Sequence, residues 1–330
     1  MESIMRTTEP VVDVIILSWG RIPDTCAAID SALRQKGVGI RVIVVDQGTA
    51  AAELGLLKAH VEGRQQVTLV CNDENRGVPG GRNQASALGT GDFIVALDND
   101  AEFASDDEVA IATGMMNDDE TIAVLAFRIL LYSTDGDDKS SWPFPLPIAD
   151  YAATRFDTAR FVGAGHMLRR SSFEACGCYD DTLIFLHEEV DLSYRLLNLG
   201  KRAVYEPSVR IRHKVSTENR VSWTGNRYYF HVRNTIYIAA KYNFSPLSGL
   251  LSIWIALQSG VKSGYVKGTL RGLLHGLLLV SKGLRQRWFD KRVRLTSEAK
   301  DRIKQTSPTR NMSLLQKFIY RTMPRLRSTR

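Results

Sequence analysis

Asp98-Asn99-Asp100 follows directly on the apolar run FIVAL at 93–97. Two carboxylates one residue apart on a turning backbone can reach one hard cation together with ligand phosphate oxygens, the usual way magnesium and manganese are held. Asp and Asn also favour plain solvated turns. Placement tips the balance toward chemistry, because this pair ends one strand-like run and Asp46 ends another. A second segment, NDENRGVPGGRN at 72–83, sets Asn75, Gly77, Gly80 and Gly81 before a helix start, with Arg76 and Arg82 able to reach a diphosphate. Glycine lets backbone approach a ligand closely, and a helix N-terminus favours anions. The segment is neither a Walker A loop nor a G-x-G-x-x-G fingerprint, and a plain glycine-rich connection is the competing account. A third, His187-Glu188-Glu189-Val190-Asp191, places three acids in four residues after the apolar 183–186. Acids suit a helix start through its dipole. An apolar approach also desolvates a carboxylate and raises its pKa toward the working pH, as a general base requires. His213, ending a short strand over 209–211, can add a nitrogen ligand to the same cation, although a lone histidine is more often structural.

The elements that must position these residues are legible from hydrophobic patterning. Residues 11–17, 40–45, 67–71 and 93–97 are β-branched or apolar runs and read as strands, and helical spacing over 24–34, 50–60 and 83–88 alternates with them. This βαβαβαβ pattern implies a mostly parallel sheet with helices on both faces, and such sheets bind ligands at the carboxyl ends of their strands. Those ends carry Ser18-Trp19, Asp46, Asn72 and Asp98-Asn99-Asp100. Beyond 100 the alternation weakens. The pattern gives a strand over 122–131, a long surface loop over 133–149, and a strand over 161–168 interrupted by Gly163 and Gly165. A helix over 188–199, two short strands at 202–205 and 209–213, and a helix over 226–242 follow.

Charge divides the chain. Its 330 residues carry a net charge of +7, but residues 246–330 hold 18 basic and three acidic side chains, a net of +15 that leaves −8 for the first 245. The acidic body argues against a nucleic-acid partner, which needs a basic face. In the tail, Lys262, Lys267, Arg271, Lys282, Arg285 and Arg287 interleave with Leu270, Leu273, Leu274, Leu277 and Leu278 at helical spacing, and Trp254, Tyr265 and Trp288 punctuate it. A basic amphipathic helix with Trp lies in a membrane interface; packing on the body is the alternative. No run reaches the roughly 18 apolar residues a spanning helix needs. Residues 296–312 are polar and read as loose, and 314–326 as another short basic amphipathic helix. Cys26, Cys71, Cys176 and Cys178, with no secretory signal read near the start, are expected to be reduced thiols of a cytoplasmic protein.

Seven stretches in order over about 11–245 carry a family resemblance: VIILSWGR, VIVVDQGT, NDENRGVPGGRN, GDFIVALDND, FVGAGHMLRRSSFEACGCYDD, FLHEEVDLSYRLLNLGKRAVYEPSVRIRH and RYYFHVRN. The chain resembles the family-2 glycosyltransferases, inverting enzymes of the GT-A fold, and within them the bacterial rhamnosyltransferase-type members. The resemblance implies an α/β GT-A architecture with a mostly parallel central sheet flanked by helices. A catalytic domain at 1–245 would comprise a Rossmann-like nucleotide-sugar-binding half at 11–100 and an acceptor-binding half at 101–245. C-terminal amphipathic helices at 246–330 would associate with an anionic membrane surface at the inner face of the cell membrane.

The resemblance also implies roles. Asp98, Asp100 and His213 would hold Mn2+ or Mg2+. A UDP- or dTDP-linked sugar would contact Ser18, Trp19, Asp46, Asn75, Gly77, Arg82, Asp98 and Asn99, with Asp46 toward the nucleobase and Asp98 toward the ribose. The base would be Glu189, Glu188 or Asp191, with Glu189 foremost. A glycan or lipid-linked acceptor would sit near Gly163, Gly165, Trp223 and Arg227. The sequence departs from the family pattern at Trp19-Gly20 for Tyr-Asn, Gln47 for a second Asp, and Glu189 for the Asp of an E-D pair. The expected activity is metal-dependent inverting sugar transfer in cell-surface polysaccharide synthesis. A sugar-nucleotide nucleotidyltransferase would need a lysine near the first loop, where Arg21 stands. A non-catalytic carbohydrate- or membrane-binding protein would not need the intact acids.

Overall fold

The computed structural model describes residues 11–214, 217–242 and 244–306; the side chains of 217–225 lie outside the description. β1 (Val11–Ser18), α1 (Ile22–Leu33), β2 (Gly39–Gln47), α2 (Ala51–Val61), β3 (Val67–Asn72), α3 (Gly77–Leu88) and β4 (Phe93–Asp98) alternate as the hydrophobic pattern dictates. The strands run parallel in the order β3-β2-β1-β4. β1 and β4 are covered on both faces, so they appear as largely apolar runs rather than alternating ones, with buried Asp13, paired to Arg170, the charged exception inside β1. Pairing sets their carboxyl ends level: Ser18 lies opposite Asp46, Leu17 opposite Asp98, and Gln47 opposite Asn72.

The second half extends the same sheet through β5 (Ala101–Phe103), α4 (Glu108–Asp118), β6 (Ile122–Leu131), α5 (Ile148–Tyr151), β7 (Phe156–Thr158), β8 (Gly165–Arg169), α6 (Arg170–Ala175), α7 (Glu188–Asn198) and β9 (Arg202–His213). β8 is antiparallel to β4 and β6, while β9 is parallel to β6 and antiparallel to β5 and β7. Among the described residues the sheet has nine strands, parallel in its first half and mixed in its second. On one face Ala28, Ile29, Leu57, Val109 and Met116 from α1, α2 and α4 cover Val14 and Ile16. On the other, Ala85, Phe173, Leu192 and Leu196 from α3, α6 and α7 cover Ile15, Ile43 and Ile94.

A helical layer completes the chain: α8 (Thr217–Lys241), α9 (Pro246–Lys262), α10 (Val266–Leu278), α11 (Val280–Phe289) and α12 (Ser297–Gln305). α8 packs against α9, α10 and α11 around Val232, Ile236 and Ala256, and α12 lies on α7. The outer side keeps Leu247, Trp254, Leu274, Leu278, Trp288 and Phe289 more than half exposed. Among the described residues no helix is long and apolar enough to cross a membrane. All four cysteines are free thiols.

Several expectations need correction. The glycine-rich segment is not a loop running to 81; α3 begins at Gly77, with Pro79 in its first turn, where a missing N–H costs nothing. The strand expected over 161–168 starts only at Gly165. The two short strands after Gly200 are one, β9, whose register against β6 shifts between Phe127 and Arg128. Residues 297–305 form α12 rather than a loose segment, because the Thr296 side chain accepts the Ala299 amide as an N-cap and Ala299 is buried. The helix expected from Asn226 begins at Thr217. The helix expected over 314–326 lies outside the described residues.

Candidate functional site

The level carboxyl ends of β1, β2 and β4 form one wall of a cleft of about 940 Å³. Trp19, Arg21, Gln47, Asn75, Gly77, Arg82, Asp98, Asn99 and Asp100 line it from the sheet side. Ile184 and Phe185, then Asn226, Tyr229 and Phe230 of α8 and Arg271 of α10, line it from the opposite side.

Three potential ligand groups converge on its floor. β4 ends at Asp98, the chain turns through Asn99-Asp100, and β5 then pairs Ala101 with His213 of β9, so oxygens of Asp98 and Asp100 and a His213 nitrogen lie within 4.8 Å of one another. The His213 ring reaches Asp100 at 3.3 Å through Nε2 and Asp138 at 3.2 Å through Nδ1. Asp138 is itself fixed by accepting bonds from Ser140 and Ser141. A carboxylate behind an imidazole orients it, as at metal-bound histidines. Two hard oxygens and one imidazole suit manganese and remain compatible with magnesium. Arg21 Nη1 also donates to Asp100 at 2.5 Å. Burial disfavours charge on His213, but Asp100, Asp98 and Asp138 outweigh it and hold the ring up to about 9. Asp100 is likewise penalised by burial, yet His213 and Arg21 bring its carboxyl below the usual range. Asp98 goes up: desolvation and the Asp100 charge exceed the pull of Arg82.

Arg82, buried on α3, joins this floor to the acidic helix start. Its Nη2 donates to Asp98 at 3.2 Å and to the Gly163 carbonyl at 2.8 Å, and its Nη1 reaches Glu189 at 3.4 Å. Gly163 has no room for a side chain: a Cβ there would stand 2.5 Å from Glu189 Oε1 and 2.9 Å from Arg82 Nη2. Desolvation raises Glu189, opposed by Arg82; it raises Glu188 much further, with Glu189 adding repulsion. Glu188 Oε2 is buried with no hydrogen-bond partner among the described residues.

The remaining expected residues divide clearly. Trp19, Asn75, Gly77 and Asn99 face the cleft. Ser18 lies beneath it, buried against Thr25. Asp46 is also fully buried; its Oδ2 accepts the Gly48 and Thr49 amides, which leaves Gln47, Gly48 and Thr49 on the cleft surface. Asp191 points away into the protein, bound by Arg195, Lys241 and Tyr242. Gly165 belongs to the sheet core, where a Cβ would meet Ile211 at 2.5 Å. Arg227 is exposed on α8, and the Trp223 side chain lies outside the described residues.

Sequence reading placed Tyr229 only within the stretch 223–229 expected to shape the acceptor site, and did not single out Asp138, Phe230 or Asn234. Asp138 falls in a stretch whose Asp, Ser and Pro content resembles any surface loop. Tyr229, Phe230 and Asn234 were part of a recognised segment, but no local pattern tells which face of a long helix meets a site.

Residues 13–177, half of the chain, match the family described as Glycosyl transferase family 2. A succinoglycan biosynthesis protein, ExoO, of Rhizobium meliloti is 36% identical over 91 residues, covering 28% of this chain and 26% of that one. A pre-mycofactocin glycosyltransferase of Mycobacterium tuberculosis is 26% identical over 250 residues, covering 67% of this chain and 48% of that one. The chain thus spans between a quarter and a half of the length of these curated relatives. Among solved structures, a mannosyltransferase, PcManGT, from Pyrobaculum calidifontis in complex with GDP-Man and Mn2+ superposes with a TM-score of 0.58 at 16% identity, covering 98% of this chain and 89% of that one. At that identity the likeness establishes the fold, a mixed α/β sheet flanked by helices of the GT-A type.

Proposed function

The chain belongs to glycosyl transferase family 2, and from that premise we propose that it transfers a sugar from a nucleoside diphosphate to an acceptor hydroxyl, with inversion at the anomeric carbon. The observation that carries this reading is the convergence of Asp98, Asp100 and His213 at the strand ends of a cleft, one arginine away from a desolvated glutamate. Bound there, a divalent cation would supply neutralisation of the charge on the departing diphosphate. Asp98, Asp100 and His213 would hold it, with Asp138 fixing the imidazole. Trp19, Gln47 and Thr49 would face the nucleoside in place of Asp46, whose role becomes holding the 48–49 turn.

Glu189 is the proposed base. It removes the proton from the acceptor hydroxyl as the new C–O bond forms on the face opposite the breaking bond to phosphate. Its raised pKa suits that task. Glu188 is buried behind it, and Asp191 is consumed by its own ion pairs. Arg271 and Arg227 have no carboxylate partner among the described residues and stand on the α8–α10 side, where an anionic or lipid-linked acceptor would enter. The exposed leucines and tryptophans of α9–α11, interleaved with Lys262, Lys267, Lys282 and Arg285, would rest on an anionic bilayer at the inner face of the membrane. Cell-surface polysaccharide synthesis is the setting this favours, and the succinoglycan protein is a relative with such a name.

The test is a screen of UDP-, dTDP- and GDP-sugars with and without manganese, reading released nucleoside diphosphate. Manganese-dependent release from at least one donor is expected. Absence of both turnover and binding for every donor would remove the enzymatic reading.

A further inference from the structure

Between the cleft wall and the acidic start of α7 runs a short segment, 183–187, of unusual backbone. Ile184, Leu186 and His187 have φ of 61°, 66° and 72°. Positive φ is uncommon for any residue with a side chain and a true outlier for a β-branched one. Such a conformation persists only where the surroundings over-determine it. Ile184 and Phe185 line the cleft, and the next residues are Glu188 and Glu189. Any relaxation of this segment therefore moves a cleft wall and the glutamates together.

One side chain reaches most of this segment. The Nδ2 of Asn234 of α8, fully buried, lies 2.9, 2.8 and 2.8 Å from the carbonyls of Leu183, Phe185 and Leu186, so its two hydrogens serve three acceptors, and the Leu183 carbonyl also accepts the Phe185 amide at 2.6 Å. The Asn234 Oδ1 accepts from Arg233 Nη1 at 2.6 Å, which fixes which end of the amide faces the segment. The intervening Ile184 carbonyl is taken by the Val78 amide at 2.7 Å, at the start of α3. Gly77 makes that approach possible, since a Cβ there would lie 2.5 Å from the Ile184 oxygen. The His187 carbonyl accepts the Asp191 amide and so opens α7. One turn before Asn234, His231 stacks on His187 with ring centroids 5.2 Å apart. Every carbonyl from 183 to 187 thus has a partner, and three of them lie within reach of one amide group.

We propose that Asn234 is the positioning residue of this site: it clamps 183–187 with Ile184, Leu186 and His187 at positive φ and so aims Glu189 at the Arg82–Asp98 cluster. This rests on the reading of Glu189 as the base. The clamp also gives α8 a task beyond packing, because the helix that joins the catalytic sheet to the basic layer sets the base.

The experiment uses the full chain and two readouts. Amide hydrogen exchange over 183–191 reports the clamp without reference to activity. Turnover of whichever nucleotide sugar the unmodified chain uses reports its consequence. Asn234→Ala is expected to speed exchange over 183–191 at least tenfold while β1–β4 stay protected, and to lower kcat about a hundredfold. Adding Leu186→Gly, which accepts φ of 66° without steric penalty, is expected to restore at least tenfold of the lost kcat, whereas adding Leu186→Ala restores none. A merely structural asparagine would lower the melting temperature without selective exchange and without rescue by glycine. If Asn234→Ala does not fold, Asn234→Asp replaces it, keeping the shape and removing both donors. Unchanged exchange over 183–191, or unchanged kcat with faster exchange, overturns the proposal. Should the unmodified chain turn over no donor, the function fails but the exchange arm still decides the clamp.

Discussion

Two charge clusters lie on either side of α7, one buried and one half-buried in the cleft, and they differ in balance. The rear cluster pairs Asp180 and Asp191 with Lys241 and Arg195, two acids against two bases, and Tyr237 and Tyr242 fill remaining oxygen positions. The cleft cluster gathers Asp98, Asp100, Glu188 and Glu189 around Arg21 and Arg82, with His213 as its third cation. Glu188 Oε2 remains without a partner there among the described residues. A closed, neutral cluster is scaffolding, since its charges are satisfied by one another. An open cluster left short of positive charge has room for a further cation, in keeping with the proposed function. The two are drawn from the same residue types, and Glu189 and Asp191 sit on the same turn of helix. Only their neighbours separate them.

The contrast breaks hardest at the candidate cation ligands. Asp100→Ala should abolish sugar transfer, more than a thousandfold, with a melting temperature close to that of the unmodified chain; an active, metal-dependent variant would sink the metal assignment. Glu189→Gln should cost about 10²- to 10⁴-fold in kcat, the usual worth of a general base, while calorimetry shows nucleotide binding retained. Asp191→Ala should do the reverse. Leaving Lys241 and Arg195 short of a buried partner costs about 3–5 kcal/mol of stability, seen in denaturant unfolding, with the residual folded enzyme still turning over.

Smaller effects sharpen the picture. Leu277→Ser with Leu278→Ser should weaken sedimentation with phosphatidylglycerol vesicles by roughly tenfold or more, given about 1.5–3 kcal/mol for burying each leucine, and leave turnover of soluble substrates alone. The smallest concerns pH. Burial, then the facing His231 and the Arg160 and Arg227 charges, depress His187 to about 3. The unfolded chain therefore binds a proton below about 6.5 that the native chain refuses, so stability falls as pH drops from about 6.5 toward 3, by up to about 1.4 kcal/mol per pH unit. His187→Asn, which tolerates left-handed backbone, should flatten that slope in denaturant titrations.

Much of the parallel half was legible because its physics is local. Short apolar runs such as 11–17 and 93–97, bounded by turn residues and alternating with helical stretches, read as buried strands, and the polar residues that end them, Ser18 and Asp98, fall at the ligand edge by topology. Local signals failed where long-range contacts chose the outcome. The glycines at 77–81 look like a loop but start a helix, since Gln47 donates to the Gly77 carbonyl and accepts the Arg76 amide from the neighbouring strand end. Asp46 ends a strand like Asp98, yet it is turned inward to hold two amides.

The basic tail shows the same division. Its charge and leucine spacing predicted amphipathic helices, and over 246–289 helices form. That Arg271 would reach the cleft, and that Asn234 would grip a strained segment across from it, followed only from how α8 and α10 pack. Sequence by itself determined which residues could carry charge and chemistry, because composition and period set burial and element type. The tertiary structure alone decided which carboxylates are neutralised and which stay open, because that depends on partners brought from 50 or more residues away, as Asp138 is to His213 and Lys241 is to Asp191.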